Sequence, residues 1–201
     1  MKIIVDFYRF LAIPFVNFFY FFNIHPNLIV LLGLLLSISS SFLLSIGYLS
    51  YAGFLYILVL VLDHADGQLA RKANKVSELG AYLDTISDRI RTPVFFVGIW
   101  FYFLNFLEID LLIYVFTSSL VILTNEIIFY LFKTLNYKNL NLITRLLLFD
   151  FLGWVNNSVL FSIALFTNNL KIYLLIITFL GLFHLTFKTT YNLYLINKNK
   201  K

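Results

Sequence analysis

The sequence contains no cysteine and little charge, and both features limit what the protein can be. Of its 201 residues, 12% are charged and 61% are hydrophobic, whereas soluble domains carry about 25% charged residues. A soluble chain of this size could not keep so much apolar surface away from water, and a bilayer removes that constraint. The lack of cysteine excludes disulfide scaffolds, thiolate metal sites and cysteine nucleophiles. The composition therefore indicates a polytopic membrane protein.

Long apolar runs predict an all-α fold with six transmembrane helices. A helix needs about 20 apolar residues to cross the hydrocarbon layer. The charge-free run from Leu28 to Leu62 is long enough for two such helices if a turn at Ser45-Ile46-Gly47 divides it. The expected spans are residues 28–46, 50–72, 79–106, 111–132, 146–167 and 171–193.

The positive charges orient these spans. If the N-terminus is inside, all of the 15 Lys and Arg residues except Lys171 fall on the inner side, and the outer loop at Glu108 and Asp110 is acidic. Because cytoplasmic loops carry the excess of Lys and Arg, both termini are expected in the cytoplasm. The same rule explains the formal charge of +5 without a nucleic-acid partner, and no nucleic-acid-binding motif is present.

The two ends of the chain differ from the apolar middle. Lys2, Asp6 and Arg9 recur at helical spacing among apolar residues, which predicts that residues 1–24 form an amphipathic helix along the inner membrane surface. A seventh, kinked span near Pro14 is the alternative. Residues 25–195 are expected to form the six-helix membrane domain, and residues 196–201 a basic cytoplasmic tail.

Four aspartates crowd the end of the second span and the start of the third. Asp63 and Asp66 are three residues apart and Asp84 and Asp88 are four apart, so each pair shares one helix face. The short connection predicts antiparallel neighbours whose carboxylates meet near the cytoplasmic face. Ionised groups inside a membrane are unfavourable unless cations offset them. Carboxylate oxygens suit Mg²⁺, Mn²⁺ or Ca²⁺, and two such ions would suit phosphoryl displacement.

Two interpretations without catalysis compete with this one. Arg71, Arg89 and Arg91 could form buried ion pairs with the aspartates and simply hold the helices together. A divalent-cation transporter could also use the acids, although it would need a path across the whole membrane and the acids lie at one end. Gly67 and Gly80 fall inside helical segments, where each costs about 1 kcal/mol relative to Ala, so a close ligand or a close helix is expected there.

The spacing of these residues is D-x2-D-G-x2-A-R-x8-G-x3-D-x3-D, which resembles the motif of the CDP-alcohol phosphotransferase family without a mismatch. The matching positions are Asp63, Asp66, Gly67, Ala70, Arg71, Gly80, Asp84 and Asp88. His25-Pro26-Asn27 is also similar to the family's Pro-Asn sequence ahead of the first span, with Val30 where Thr is common. Eight fixed positions make this resemblance specific, and the intact motif argues against a catalytically inactive scaffold.

The resemblance implies a metal-dependent transferase of phospholipid biosynthesis, of EC 2.7.8 type. Such an enzyme moves a phospho-alcohol unit, expected to be phosphatidyl-type, from a CDP-linked lipid to the hydroxyl of a small alcohol, and CMP leaves. The resemblance also implies Mg²⁺ or Mn²⁺, expected as two ions, a homodimer in the cell membrane, and an active site at the cytoplasmic face.

The resemblance also assigns roles to individual residues. The expected metal ligands are Asp63, Asp66, Asp84 and Asp88, and Asp88 would also be the general base. The expected contacts to the CDP moiety are Asp63, Gly67, Ala70, Arg71, Gly80 and Asn27.

The acceptor is predicted from three basic residues on the inner side, Lys133, Arg145 and Lys188. Their placement is similar to basic residues of family members that use inositol phosphate, and a phosphate on the acceptor would need such a pocket. Inositol phosphate or glycerol phosphate is therefore expected. If these residues only anchor the topology, a neutral or lipid acceptor such as serine, choline, phosphatidylglycerol or diacylglycerol is the alternative.

Overall fold

A computed structural model describes residues 2–131 and 154–198, with side chains described for residues 5–124 and 158–194. The described residues form helices and connecting turns and contain no strand. The helices are α1 (Lys2–Phe21), α2 (Pro26–Ser45), α3 (Leu49–Lys72), α4 (Glu78–Asn105), a short 3₁₀ helix (Ile109–Leu111), α5 (Leu112–Leu131), α6 (Trp154–Phe166) and α7 (Leu170–Lys198).

The predicted all-α class is confirmed. Three of the described helices are long and apolar enough to cross a membrane: α2, α3 and the part of α7 from Leu170 to Tyr194. They coincide with the predicted spans 28–46, 50–72 and 171–193, and the protein is a multi-pass membrane protein. Helices α4, α5 and α6 lie on the other three predicted spans, although the start of span 146–167 is outside the described residues. Whether those three helices cross the membrane stays a prediction.

The turns that separate the helices share one backbone geometry. The second residue after the end of each of α1, α2, α3, α4 and α6 has a left-handed backbone with φ between 52° and 90°; these residues are Asn23, Gly47, Asn74, Leu107 and Asn168. The following backbone N–H then reaches back to a carbonyl five residues earlier, as from Lys75 to Ala70 at 2.8 Å. This is the Schellman closure of a helix C-terminus, which favours Gly and Asn. It explains how apolar runs end abruptly at short turns.

The first of two compact units comprises residues through Ile109 together with Leu165–Asn168. Within it, α2 packs against both α3 and α4. Ser40 Oγ donates to the Ala52 carbonyl of α3 at 2.7 Å, and Ser41 Oγ donates to the Val94 carbonyl of α4 at 2.7 Å. Helix α2 thus holds in place the two helices that carry the aspartates.

Helix α1 packs along α3 and has two different faces. Its buried hydrophobic residues are Tyr8, Ala12, Val16 and Phe19, and its exposed aromatic residues are Phe7, Phe10, Phe18, Tyr20 and Phe21, followed by exposed Phe22 just after the helix. Polar contacts also link the two helices: Gln68 Nε2 donates to the Arg9 carbonyl at 3.1 Å, and Lys72 Nζ donates to Asn17 Oδ1 at 2.6 Å. Helix α1 thus has one face buried against α3 and one exposed aromatic face, and the amphipathic helix on the membrane surface stays a prediction.

The second compact unit comprises the chain from Asp110 onward, apart from Leu165–Asn168. In this unit α5 packs against α7, where Thr178 Oγ1 donates to the Tyr114 carbonyl at 3.4 Å. The rings of Phe161 on α6 and Tyr173 on α7 are in contact at a centroid distance of 5.1 Å, with their planes tilted by 47°.

Candidate active site and metal centre

The four motif aspartates lie on the last turns of α3 and the first turns of α4. The two helices meet through side chains. The ring of Tyr56 packs edge-on against Phe95 at 4.7 Å, and Asp63 forms an ion pair with Arg91. Since α2 packs against both helices, the facing positions on α3 and α4 are set by a third helix as well as by their short connection.

Three carboxylates meet between these helices. Asp63, Asp84 and Asp88 each place one oxygen within 4.8 Å of the others. Like charges at such distances repel one another, and the repulsion is stronger where burial removes water. Carboxylate oxygens are the ligands that hard divalent cations prefer. Among the described residues, these three form the acidic group with the geometry to hold a metal ion.

Asp66 lies beside this group, not within it. Its side chain is 5% exposed, and it is near enough to interact electrostatically with Asp63 and Asp84. Its Oδ2 atom is buried and has no hydrogen-bond partner in the part of the chain that the structure describes. A buried carboxylate oxygen without a partner is strongly unfavourable, and a bound cation would supply the missing interaction. The donor set therefore fits Mg²⁺ or Mn²⁺, the ions expected from the sequence.

Arg91 joins two of the aspartates, and the sequence analysis gave it no role in the active site beyond a possible buried ion pair. Its Nη1 donates to Asp63 Oδ1 and, at 3.0 Å, to Asp88 Oδ1. The interpretation with buried Asp–Arg pairs is thus realised for Arg91. The sequence did contain part of the signal, because Arg91 follows Asp88 by three residues, a spacing that places side chains together on a helix.

Gly67 leaves open space on the surface of α3. Outside its own helix backbone, the atoms within 4 Å of a Cβ built at Gly67 are Nη1 and Nη2 of Arg71, at 3.6 and 3.8 Å. Arg71 is exposed and Ala70 is half-buried. The three residues therefore offer a shallow surface with one guanidinium beside it, one helical turn from the carboxylates.

Two helix N-termini meet at Gly80. Ser77 caps α4, and its Oγ accepts from the Gly80 backbone N–H at 3.1 Å. His25 caps α2, and its Nδ1 accepts from the Asn27 backbone N–H at 3.3 Å. A Cβ at Gly80 would lie 3.3 Å from Asn27 Oδ1, so the two helices begin side by side. Helix N-termini favour negative charge, and these two stand next to the motif.

The predicted acceptor residues are only partly described. Lys133 and Arg145 lie outside the described residues. Lys188 is on α7 in the second unit and is 6% exposed. His184 and Asn192 are also buried and lie one turn before and after it, so α7 carries a buried polar stripe.

Comparison with known families agrees with the motif. Residues 23–186 match the model of the CDP-alcohol phosphatidyltransferase family. The chain belongs to this family. The predicted resemblance is therefore confirmed over most of the sequence.

Two individual proteins are similar to this chain over shorter stretches. An uncharacterized protein of Aquifex aeolicus is 38% identical over 100 residues, which cover 50% of this chain and 51% of that protein. The archaetidylinositol phosphate synthase of Pyrococcus horikoshii is 33% identical over 77 residues, 38% of this chain and 41% of that enzyme. The chain thus spans about half, or less, of the length of these relatives.

A solved structure shares the fold. Phosphatidylinositol phosphate synthase of Mycobacterium tuberculosis, in a crystal structure with manganese and citrate, has a TM-score of 0.56 and 18% sequence identity. The match covers 87% of this chain and 88% of that one. At this identity the likeness shows a common fold and adds nothing about individual residues.

Proposed function

We propose that this protein transfers a phosphatidyl-type phospho-alcohol unit from a CDP-linked lipid to the hydroxyl of a small, phosphate-bearing alcohol and releases CMP. The observation that carries the proposal is the group of Asp63, Asp84 and Asp88, whose oxygens lie within 4.8 Å of one another at motif positions of the family to which the chain belongs. The activity is of EC 2.7.8 type and places the enzyme in phospholipid biosynthesis.

Asp63, Asp66, Asp84 and Asp88 would hold Mg²⁺ or Mn²⁺, as two ions. Three of them already converge, and the unpartnered Oδ2 of Asp66 supplies a further ligand atom. When bound, the metal would neutralise negative charge that develops on phosphorus and on the departing CMP. A crystal structure of the mycobacterial synthase contains manganese, in agreement with this choice of metal.

The CDP moiety would lie over Gly67, Ala70 and Arg71, with Asp63 below it. The missing side chain at Gly67 lets the nucleotide approach the backbone, and the exposed guanidinium of Arg71 suits a pyrophosphate. The neighbouring N-termini of α2 and α4 add positive dipole ends for the same anion. The mycobacterial synthase has been crystallised with CDP-DAG bound, which supports a CDP-lipid as the donor.

Asp88 would be the general base. Its side chain is 41% exposed, against 13% for Asp63, so an incoming alcohol can reach it. In the proposed step the acceptor oxygen attacks the lipid-bearing phosphorus as its proton passes to Asp88. The new P–O bond forms while the bond to the bridging pyrophosphate oxygen breaks, and the electron pair leaves with CMP.

Lys188, together with Lys133 and Arg145, would bind the phosphate of the acceptor. A lysine that is 6% exposed in a membrane protein is costly unless an anion or polar groups compensate it, and a phosphate is such an anion. The names of two similar enzymes specify inositol phosphate products, which supports inositol phosphate ahead of glycerol phosphate. Serine, choline, phosphatidylglycerol and diacylglycerol are the alternative acceptors.

A membrane topology with the active site on the cytoplasmic side accompanies this activity. Residues 25–195 would form six spans with both termini in the cytoplasm, and residues 196–201 a basic tail. Residues 1–24 would lie on the inner surface with the exposed phenylalanines of α1 toward lipid. The active site would then face the cytoplasm, where the nucleotide enters while the lipid tails remain in the bilayer. A homodimer is the proposed assembly.

The test is CMP release by purified protein with CDP-diacylglycerol, Mg²⁺ or Mn²⁺, and a panel of acceptors. We expect turnover with inositol phosphate or glycerol phosphate, and none with Asp84→Asn as the matched control. If only serine, choline or a lipid alcohol supports turnover, that compound replaces inositol phosphate and glycerol phosphate as the proposed acceptor. Absence of CMP release with every acceptor, combined with cation uptake into vesicles without any CDP-lipid, would favour the transporter.

A further inference from the structure

Arg91 is buried in contact with two of the site's aspartates. It lies on α4 one helical turn beyond Asp88, and its side chain is 4% exposed. Nη1 donates to both Asp63 and Asp88, while Nε and Nη2 are buried and make no hydrogen bond among the described residues. A guanidinium stays charged in proteins, and burying it without full hydrogen bonding is costly. The cost of burying this guanidinium indicates that its charge stabilises the carboxylates of Asp63 and Asp88.

A glycine on α2 admits this guanidinium. A Cβ built at Gly33 would lie 3.1 Å from Nη2 of Arg91, closer than ordinary van der Waals contact. Gly33 is buried, so the flat face of the backbone is what Arg91 packs against. Three helices therefore meet at this point: α2 with Gly33, α3 with Asp63, and α4 with Asp88 and Arg91.

We propose that Arg91 is a positioning residue that acts as a built-in counter-cation: it holds Asp63 and Asp88 together in the metal-free protein and lowers the affinity of the site for its divalent cation. This inference rests on the metal site of the proposed function. The guanidinium and a metal ion both bind the carboxylates of Asp63 and Asp88, and the positive charges of the two cations repel each other. The arginine thus protects the fold when no metal is bound and keeps metal binding reversible.

Removing the charge destabilises the metal-free protein more than the metal-bound protein. In Arg91→Gln, the metal-free protein has buried carboxylates with no cation between them, which is strongly destabilising. The metal-bound protein is less affected, because the ion supplies that charge. We therefore expect a lower unfolding temperature in chelator and a larger upward shift on adding Mn²⁺ than in the wild type. The Mn²⁺ affinity should rise about 10- to 150-fold, the equilibrium equivalent of one charge-assisted hydrogen bond.

The experiment is Mn²⁺ titration followed by electron paramagnetic resonance at pH 8, with thermal unfolding measured with and without the ion. Arg91→Lys keeps the charge, so its Mn²⁺ affinity should stay within a few-fold of the wild type. Gly33→Ala pushes the guanidinium away and should raise the affinity by a smaller factor. If Arg91→Gln yields no folded protein, the Mn²⁺ affinity of Gly33→Ala tests the inference instead.

Ser41→Ala is the matched control. It removes the α2–α4 hydrogen bond to Val94 without touching Arg91, so it should lower the unfolding temperature equally in both metal states and leave the Mn²⁺ affinity unchanged. An unchanged or weaker Mn²⁺ affinity in Arg91→Gln would overturn the inference, and so would an Arg91→Lys protein that binds as tightly as Arg91→Gln. If instead the wild type and Asp63→Asn bind Mn²⁺ equally, the proposed metal site itself is wrong.

Discussion

Replacing Gly67 by alanine should make the protein more stable and less active at once. Glycine inside a helix is destabilising by roughly 0.5–1 kcal/mol relative to Ala, and Gly67 lies well within α3. The new methyl group would meet Arg71 Nη1 and Nη2 at 3.6 and 3.8 Å, which is ordinary van der Waals contact. No described residue therefore opposes the methyl group, and the unfolding temperature should rise by about 2–4 °C per kcal/mol for a chain of this size.

The methyl group would also occupy the surface on which we place the CDP moiety. Forcing an extra methylene into a packed contact costs about 1–3 kcal/mol, so the KM for the CDP-lipid should rise about 5- to 150-fold. The KM for the acceptor should change little. The assays are CMP release during donor titration at saturating acceptor, and unfolding followed by tryptophan fluorescence.

Gly53→Ala is the matched control, because it makes the same change on the same helix away from the aspartates. A Cβ at Gly53 would lie 3.1 Å from Leu165 Cβ, so this variant should gain no stability and should keep the wild-type donor KM. If Gly67→Ala is more stable but has an unchanged donor KM, the nucleotide does not lie over Gly67. If it loses stability and activity together, the substitution has damaged the fold and the reasoning from open space is wrong.

Three further predictions concern other parts of the site. Asp84→Asn should abolish both Mn²⁺ binding and turnover, because it removes one of three convergent ligands; full activity in excess chelator would contradict the metal role. Asp88→Asn should leave CDP-lipid binding nearly intact and slow turnover by roughly 10²–10⁴-fold, measured by single-turnover CMP release; a loss confined to donor KM would reassign Asp88 to binding. Lys188→Gln should raise the KM for a phosphate-bearing acceptor about 10- to 150-fold, the range of one charge-assisted hydrogen bond, and leave the donor KM unchanged; an equal effect with an uncharged acceptor would exclude phosphate recognition.

Local features of the sequence were sufficient to predict the helices near the site. The predicted spans 50–72 and 79–106 differ by one residue at most from α3 and α4 at each end. The reason is physical: the end of α3 is closed by Asn74 in a left-handed conformation, and the start of α4 is capped by Ser77. Signals of this kind act within a few residues and are readable without tertiary structure.

The way in which the helices pack against one another was harder to predict from the sequence. Helical spacing placed Asp63 and Asp66 on one face, yet the structure groups Asp63 with Asp84 and Asp88 and leaves Asp66 beside them. A separation of three residues turns a helix by about 300°, so the two side chains point about 60° apart, and Asp63 rather than Asp66 lies in the convergent group. Which of them points at α4 depends on how α2 positions α3, and no local pattern contains that information.

The same dependence on α2 explains why the sequence indicated Arg91 only as one of three arginines that could form buried ion pairs, whereas the motif identified each aspartate. The aspartates and glycines follow a motif with fixed spacing, so chemistry alone identifies them. Arg91 acquires its role from a contact with Asp63, 28 residues away, and from the space over Gly33, a residue in a different helix. Ser40, Ser41 and Gly33 are small, and small residues let helices approach closely in a membrane. Helix α2 therefore sets the separation of α3 and α4, and with it the distance at which their carboxylates can share one arginine or one metal ion.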